Sequence, residues 1–220
     1  MKKYLQIFVL LLIAILYSCK EKEKEKSDEL NMEFITPSGI KKPHMFVGNE
    51  KFESKKAEDI CNEGIRYVKM GEFLKAEEKF KQALTYEPNN PTILNNLGNF
   101  EDYMGYKEKA IAFYKEAFIA SDSSYFNAAY NLGRMYCKSG EYKASEKILN
   151  YVIDNFKEPQ FQSASNYLLA NVYLQLKNCE KAKIHYQKSK KLYDSVPELK
   201  TLSQKLSKEI KDCVNDNKVD

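Results

Sequence analysis

The stretch Leu97-Gly98-Asn99-Phe100-Glu101-Asp102-Tyr103-Met104-Gly105-Tyr106 decides the fold, because its two glycines return at fixed places on either side of it. Gly98 recurs as Gly64 and Gly133, at intervals of 34 and 35 residues, and each is followed seven residues on by a second glycine, Gly71, Gly105 and Gly140. A period of that length marks a helical repeat array, in which each unit is one supersecondary element stacked on the next.

The residues between the glycines explain how such a unit packs. Counted from Ala57, the first copy places small residues at Gly64, Ala76 and Ala83 and large ones at Tyr67 and Phe80. Two helices approach closely only where one backbone presents no bulk, so the small residues make room that the aromatic rings fill. Pro88 then stops the second helix. The copy beginning at Pro91 keeps the frame with Leu97, Gly98, Gly105, Ala110, Tyr114 and Ala117, and its proline suits the first turn of a helix. The third, from Phe126, places Leu132, Gly133, Tyr136, Gly140 and Tyr142 in frame. It has Ser145 and Val152 where alanines fall, which predicts a more loosely packed second helix. A fourth copy from Ser163 reads Leu169, Ala170, Tyr173, Ala182 and Tyr186, with Lys177 in place of the inter-helix glycine.

Over residues 57–196 this pattern resembles the tetratricopeptide repeat, a helix-turn-helix unit of about 34 residues. The resemblance implies an all-α, right-handed superhelical array of about four repeats, at 57–90, 91–125, 126–159 and 163–196. The last unit of an array leaves an apolar face bare and needs a cover with a polar outer side. Residues 197–213 supply one: Leu199, Leu202, Leu206 and Ile210 follow helical spacing, while Lys200, Lys205, Lys208 and Lys211 lie elsewhere around the wheel. A capping helix is expected there, followed by a disordered tail over 214–220.

The N-terminus carries an address. Lys2 and Lys3 precede an apolar run from Ile7 to Leu16, too short for the roughly 20 residues a membrane-crossing helix requires. A basic start, a short apolar run and a small residue before the cut describe a secretory signal over residues 1–18. Leu16-Tyr17-Ser18-Cys19 resembles the lipobox of bacterial lipoproteins, although Tyr17 departs from the usual small residue. That resemblance implies lipidation of Cys19 and attachment to a lipid bilayer in the bacterial cell envelope. Lys20 is not the aspartate that retains some lipoproteins in the inner membrane, so the outer membrane is favoured. Residues 19–56 open on strict Lys/Glu alternation and continue through Pro37, Gly39, Pro43 and Gly48, which break regular structure. They read as a tether whose coil would reach roughly 30–35 Å. Phe34, Ile35, Met45, Phe46 and Val47 are apolar enough to press onto the first repeat.

Charge and chemistry narrow the function. The chain has 35 basic and 31 acidic residues, and lysines interleave with glutamates along the expected helices as solvated faces do. Nucleic-acid binding calls for a concentrated basic surface that is missing here. His44 and His185 stand apart, with no CxxC, no HExxH and no phosphate-cradling glycine loop. The expectation is therefore no enzyme, no metal, no cofactor and no small-molecule substrate. Apart from Cys19 the cysteines are Cys61, Cys137, Cys179 and Cys213. Cys179 and Cys213 each lie 17 residues from the turn at Val196, so two antiparallel helices joined there would bring them together for a possible disulfide.

Binding residues are read from the repeating frame. Asn62, Asn96 and Asn131 occupy the sixth place of successive first helices, where a column of amides could pair with the backbone of an extended peptide. The arrangement resembles the asparagine ladder of tetratricopeptide regions in protein glycosyltransferases. Asn95, Asn99, Tyr103, Tyr130, Arg134, Tyr167 and Asn171 fall beside it as further groove residues. The function expected is a membrane-anchored scaffold binding a protein or peptide partner in its concave groove. The alternative is a structural subunit of an outer-membrane assembly, pilus or secretion complex.

Overall fold

A computed structural model describes residues 52–216; the signal segment, Cys19 and nearly all of the tether, with its apolar residues, lie outside them. The described residues form nine helices and no strand: α1 (Lys55–Met70), α2 (Phe73–Tyr86), α3 (Pro91–Tyr103), α4 (Lys107–Ala120), α5 (Phe126–Lys138), α6 (Tyr142–Asn155), α7 (Pro159–Gln175), α8 (Cys179–Ser195) and α9 (Pro197–Asp216). They pair as four antiparallel hairpins, α1 with α2 through α7 with α8, and α9 lies against α8.

Local signals set the ends. The Ser54 side chain accepts from the Ala57 backbone N–H at 3.2 Å, so α1 starts two residues ahead of the frame that begins at Ala57. The Ser54 N–H itself donates to Glu87 Oε1 at 2.6 Å, which ties the chain entry to the α2–α3 connection. At α3 the Asn90 side chain accepts from Thr92 and Ile93 while Pro91 occupies the first turn. Each hairpin turn closes the same way: Glu72, Tyr106, Glu141 and Asn178 return a backbone N–H to Tyr67, Glu101, Tyr136 and Tyr173 at 2.8–2.9 Å. The residue before each donor is left-handed, with φ of 76° at Gly71, 84° at Gly105, 79° at Gly140 and 57° at Lys177. Three turns therefore use glycine because a side chain is costly there, and the fourth bears that cost at Lys177.

Inside each hairpin the small-against-large pairing holds. A methyl placed on Gly64 would lie 2.7 Å from the Phe80 ring, on Gly98 2.6 Å from Tyr114, and on Gly133 2.8 Å from Leu149. The third hairpin is the least closely packed of the four, as Ser145 and Val152 lead one to expect, yet no gap opens there. Both residues are fully buried, and the Ser145 hydroxyl donates to the Gly133 carbonyl at 2.6 Å, so the larger side chain is held by a hydrogen bond. Gly98→Leu is expected to overpack the α3–α4 contact and cost about 1–3 kcal/mol, measured by thermal unfolding. An unchanged midpoint would mean that the Tyr114 ring does not lie over Gly98.

The C-terminal boundaries shift slightly from the sequence frame. Pro159 opens α7 four residues ahead of Ser163, and α9 runs to Asp216, so residues 214–216 are helical where a disordered tail is expected. Leu199, Leu206 and Ile210 of α9 are buried, covering the face left by α7 and α8. A disulfide joins Cys179 at the start of α8 to Cys213 near the end of α9, with Cα atoms 5.7 Å apart. That bond holds the last turns of α9 in place.

Candidate functional site

The first helices of successive hairpins touch in series, α1 with α3, α3 with α5, α5 with α7 and α7 with α9, whereas the second helices share no comparable contact. Closer spacing of the first helices curves the stack toward them, so they line its inner side. Every groove residue read from the sequence rides on one of these helices: Asn62 on α1; Asn95, Asn96, Asn99 and Tyr103 on α3; Tyr130, Asn131 and Arg134 on α5; Tyr167 and Asn171 on α7.

Their mutual geometry follows a rule. Asn131 Nδ2 donates to Asn95 Oδ1 at 3.0 Å and Asn99 Oδ1 at 3.3 Å, so one amide spans two residues a helical turn apart on the preceding repeat. Arg134 and Lys138 do the converse, both reaching the single carboxylate of Asp102 at 2.7 and 3.2 Å. Asn99 Oδ1 also accepts the Tyr114 hydroxyl at 2.8 Å, which connects this inner network to the outer helix α4. Asn96 Nδ2 approaches Cys61 Sγ at 3.4 Å, and Asn62 is half-buried on α1. Asn62, Asn96 and Asn131 thus share a register but direct their amides differently, two of them into neighbouring repeats.

Two of the named residues serve other contacts. The Tyr167 ring stacks on Tyr193 at 4.1 Å and its hydroxyl reaches the Leu202 carbonyl at 3.4 Å, which turns it toward the capping helix. Asn171 returns its amide to the Tyr167 carbonyl one turn back at 2.9 Å. Tyr103 packs against Phe73 at 5.2 Å, and Tyr130 stacks on Phe126 at 5.5 Å.

Asp102 and Lys138 belong to the site although the sequence frame does not single them out. Their signal is a separation of 32 or 36 residues, one repeat shifted by three back or one forward, which places a side chain between two neighbours on the previous first helix.

The electrostatics bear on what the face can do. Burial opposes charge on Asp102, but Arg134 and Lys138 outweigh it and hold the carboxyl below its usual range. Burial likewise opposes the Arg134 charge, and Asp102 more than restores it. Burial pushes the thiols of Cys61 and Cys137 up to about 11, so both stay protonated near neutral pH and are poor nucleophiles. Burial also lowers the pKa of His185, whose Nδ1 lies 2.8 Å from Asn166 Oδ1. Among the described residues no cluster of three or more metal-ligating side chains forms.

Glu101 is an exception within the frame. It occupies the eleventh place, where the other repeats carry Tyr67, Tyr136 and Tyr173. It is buried, its Oε2 makes no hydrogen bond, and Lys109 stands off at 3.9 Å. Burial raises its pKa, chiefly by penalising the charged form. Glu101→Gln is expected to stabilise the protein at pH 7 by roughly 1 kcal/mol or less. A raised carboxyl pKa favours folding below the ordinary value near 4.5, and that contribution is lost as pH rises through the elevated value. The gap between variant and parent should therefore open with rising pH in paired unfolding curves; a constant gap would contradict the burial of this carboxylate.

Comparison with known proteins agrees with the geometry. Residues 61–124 and 163–195 match profiles described as tetratricopeptide repeat. The described helices form a tetratricopeptide-repeat array. The chain is similar to the solved structure of PilF from Pseudomonas aeruginosa, with TM-score 0.62, 20% identity, and 74% of this chain and 70% of that one covered. It is similar also to PilW, described as a widely conserved type IV pilus biogenesis factor, with TM-score 0.61, 18% identity and coverage of 74% and 72%. A third likeness is to the hetero-tetramer Cut9–Hcn1 of the APC/C, with TM-score 0.58 and 20% identity; it takes in 69% of this chain but only 30% of that one. At these identities the likeness concerns the fold alone. No curated protein matches the sequence. Tetratricopeptide repeats bind protein partners, which makes the inner face of the array the candidate interaction surface.

Proposed function

We propose that this chain is a lipid-anchored interaction scaffold whose first-helix face holds an extended segment of a partner protein. The observation that carries the reading is the row of partly exposed polar side chains on that face, Asn62, Tyr103 and Asn171; Asn95, Asn96 and Asn131 are buried between repeats and closed to a ligand. An extended backbone presents C=O and N–H groups in alternation, which suits the amides of Asn62 and Asn171, each able to donate and accept, without dictating side chains. Tyr103 and Lys138, which reach solvent on the same face, would discriminate among partner side chains.

The anchor in this reading is an acylated Cys19, which multiple acyl chains would hold stably at the outer membrane. Asn62→Ala and Asn171→Ala combined are expected to keep the helical circular dichroism signal while weakening the bound segment at least about tenfold, about 1.4 kcal/mol. Undiminished binding by the double variant would remove these amides from the site.

A further inference from the structure

The two edges of the array differ in charge and in exposed apolar surface. Turns within hairpins line one edge and connections between hairpins line the other, because the helices of each pair run antiparallel. From the penultimate residue of one helix to the third residue of the next, the four within-hairpin turns hold eight lysines and five carboxylates. One of those carboxylates, Asp102, is shared by Arg134 and by Lys138, itself one of the eight lysines. The three connections between hairpins and the one from α8 into α9 hold one lysine and six carboxylates over the same windows. The first turn shows the local pattern, with exposed Lys69 and Lys75 on either side of Glu72, which pairs with Lys75.

The same edge carries most of the large apolar side chains that face water. Leu74 is 86% exposed, Met70 67%, Tyr106 52% and Leu176 38%, all at or within two residues of a within-hairpin turn. Leu74 and Met70 flank a single turn beside exposed Lys69, while Lys75 pairs with Glu72 and lies over the Tyr67 ring at 5.5 Å. Lysines whose stems run past apolar groups, with the ammonium outward, suit a surface that is apolar beneath and anionic on top.

We infer that the within-hairpin edge of the array docks on the headgroup layer of an anionic lipid membrane, with Leu74 and Met70 entering the interface and the surrounding lysines meeting lipid phosphates. Charge complementarity selects this occupant: the lysine-rich edge is attracted to anionic lipid and the carboxylate-rich edge is repelled. The proposal rests on the reading that acylated Cys19 keeps the repeats beside lipid, and it adds an orientation, with the helix axes steep to the membrane and the inner face opening sideways.

The chain has no tryptophan, so a single introduced one reports its own surroundings. Leu74→Trp, placed in the full acylated chain and mixed with phosphatidylglycerol vesicles bearing brominated acyl chains, is expected to shift to the blue and lose emission. Ile119→Trp, 72% exposed at the opposite edge, is expected to do neither. Phosphatidylcholine vesicles, or Lys69→Glu with Lys75→Glu, should weaken the Leu74→Trp response. Flotation with vesicles reports the anchor separately: a chain that floats while Leu74→Trp stays unquenched overturns the edge docking and leaves the anchor standing. Equal quenching of both reporters overturns it as well. A blue shift that grows with protein concentration in the absence of lipid would give the patch to a second copy of the chain, and that too overturns the proposal.

Discussion

Arg134→Met is expected to destabilise the array by about 3 kcal/mol, the lower end of what removing one partner of a buried ion pair costs. For a domain of this size that lowers the unfolding midpoint by about 6–12 °C. The side chains of Arg134 and Asp102 are 9% and 12% exposed and meet at 2.7 Å, so the variant leaves a carboxylate with little access to water. Lys138, at 3.2 Å and more exposed, moderates the loss. Combining Arg134→Met with Asp102→Leu should recover much of the stability, since an apolar pair of similar volume often replaces a buried ion pair at little cost. If the double variant is no better than the single one, the pair is not the source of the effect. The pH dependence has a defined sign. A carboxyl held below its usual value near 3.8 adds stability above that value, and the addition disappears as pH falls through the depressed one.

Cys179→Ser with Cys213→Ser is expected to cost about 3–4 kcal/mol, because the bond closes a loop across 34 positions of sequence. The loss should be local. In a repeat array each unit contacts only its neighbours, so α9 and the start of α8 should exchange amide hydrogens faster while α1 to α4 keep their protection. Uniform loss of protection from α1 onward would contradict the modular packing, and an unchanged midpoint would show that α9 docks without help from the bond.

The sequence revealed those features of the fold that one residue per repeat can encode. Gly64, Gly98 and Gly133 mark where helices touch, and Gly71, Gly105 and Gly140 mark left-handed turns; each recurs at one period, so a single chain displays the frame. Lys177 shows the limit of that signal, since the fourth turn keeps its geometry with a residue that is costly there. Ser145 shows another: the looser packing of the third hairpin was legible from it, but the bond of its hydroxyl to the Gly133 carbonyl was not. The candidate site was half legible. Asparagines in register were visible, but their partners were not, because contacts between first helices join residues 32, 35 or 36 apart. Asp102 and Lys138 therefore escaped notice, and Glu101 looked like surface until it was found buried where its sister repeats have tyrosine.

The central claim is that the first-helix face holds a partner. Photo-crosslinking in intact cells decides it, with a photoreactive residue placed in turn at half-buried Asn62 and Asn171 on the inner helices and at exposed Ile184 on α8. The account expects a discrete adduct with one extended segment of a partner from the two inner positions and none from Ile184. Adducts from Ile184 alone, or equal adducts from all three positions, would contradict it.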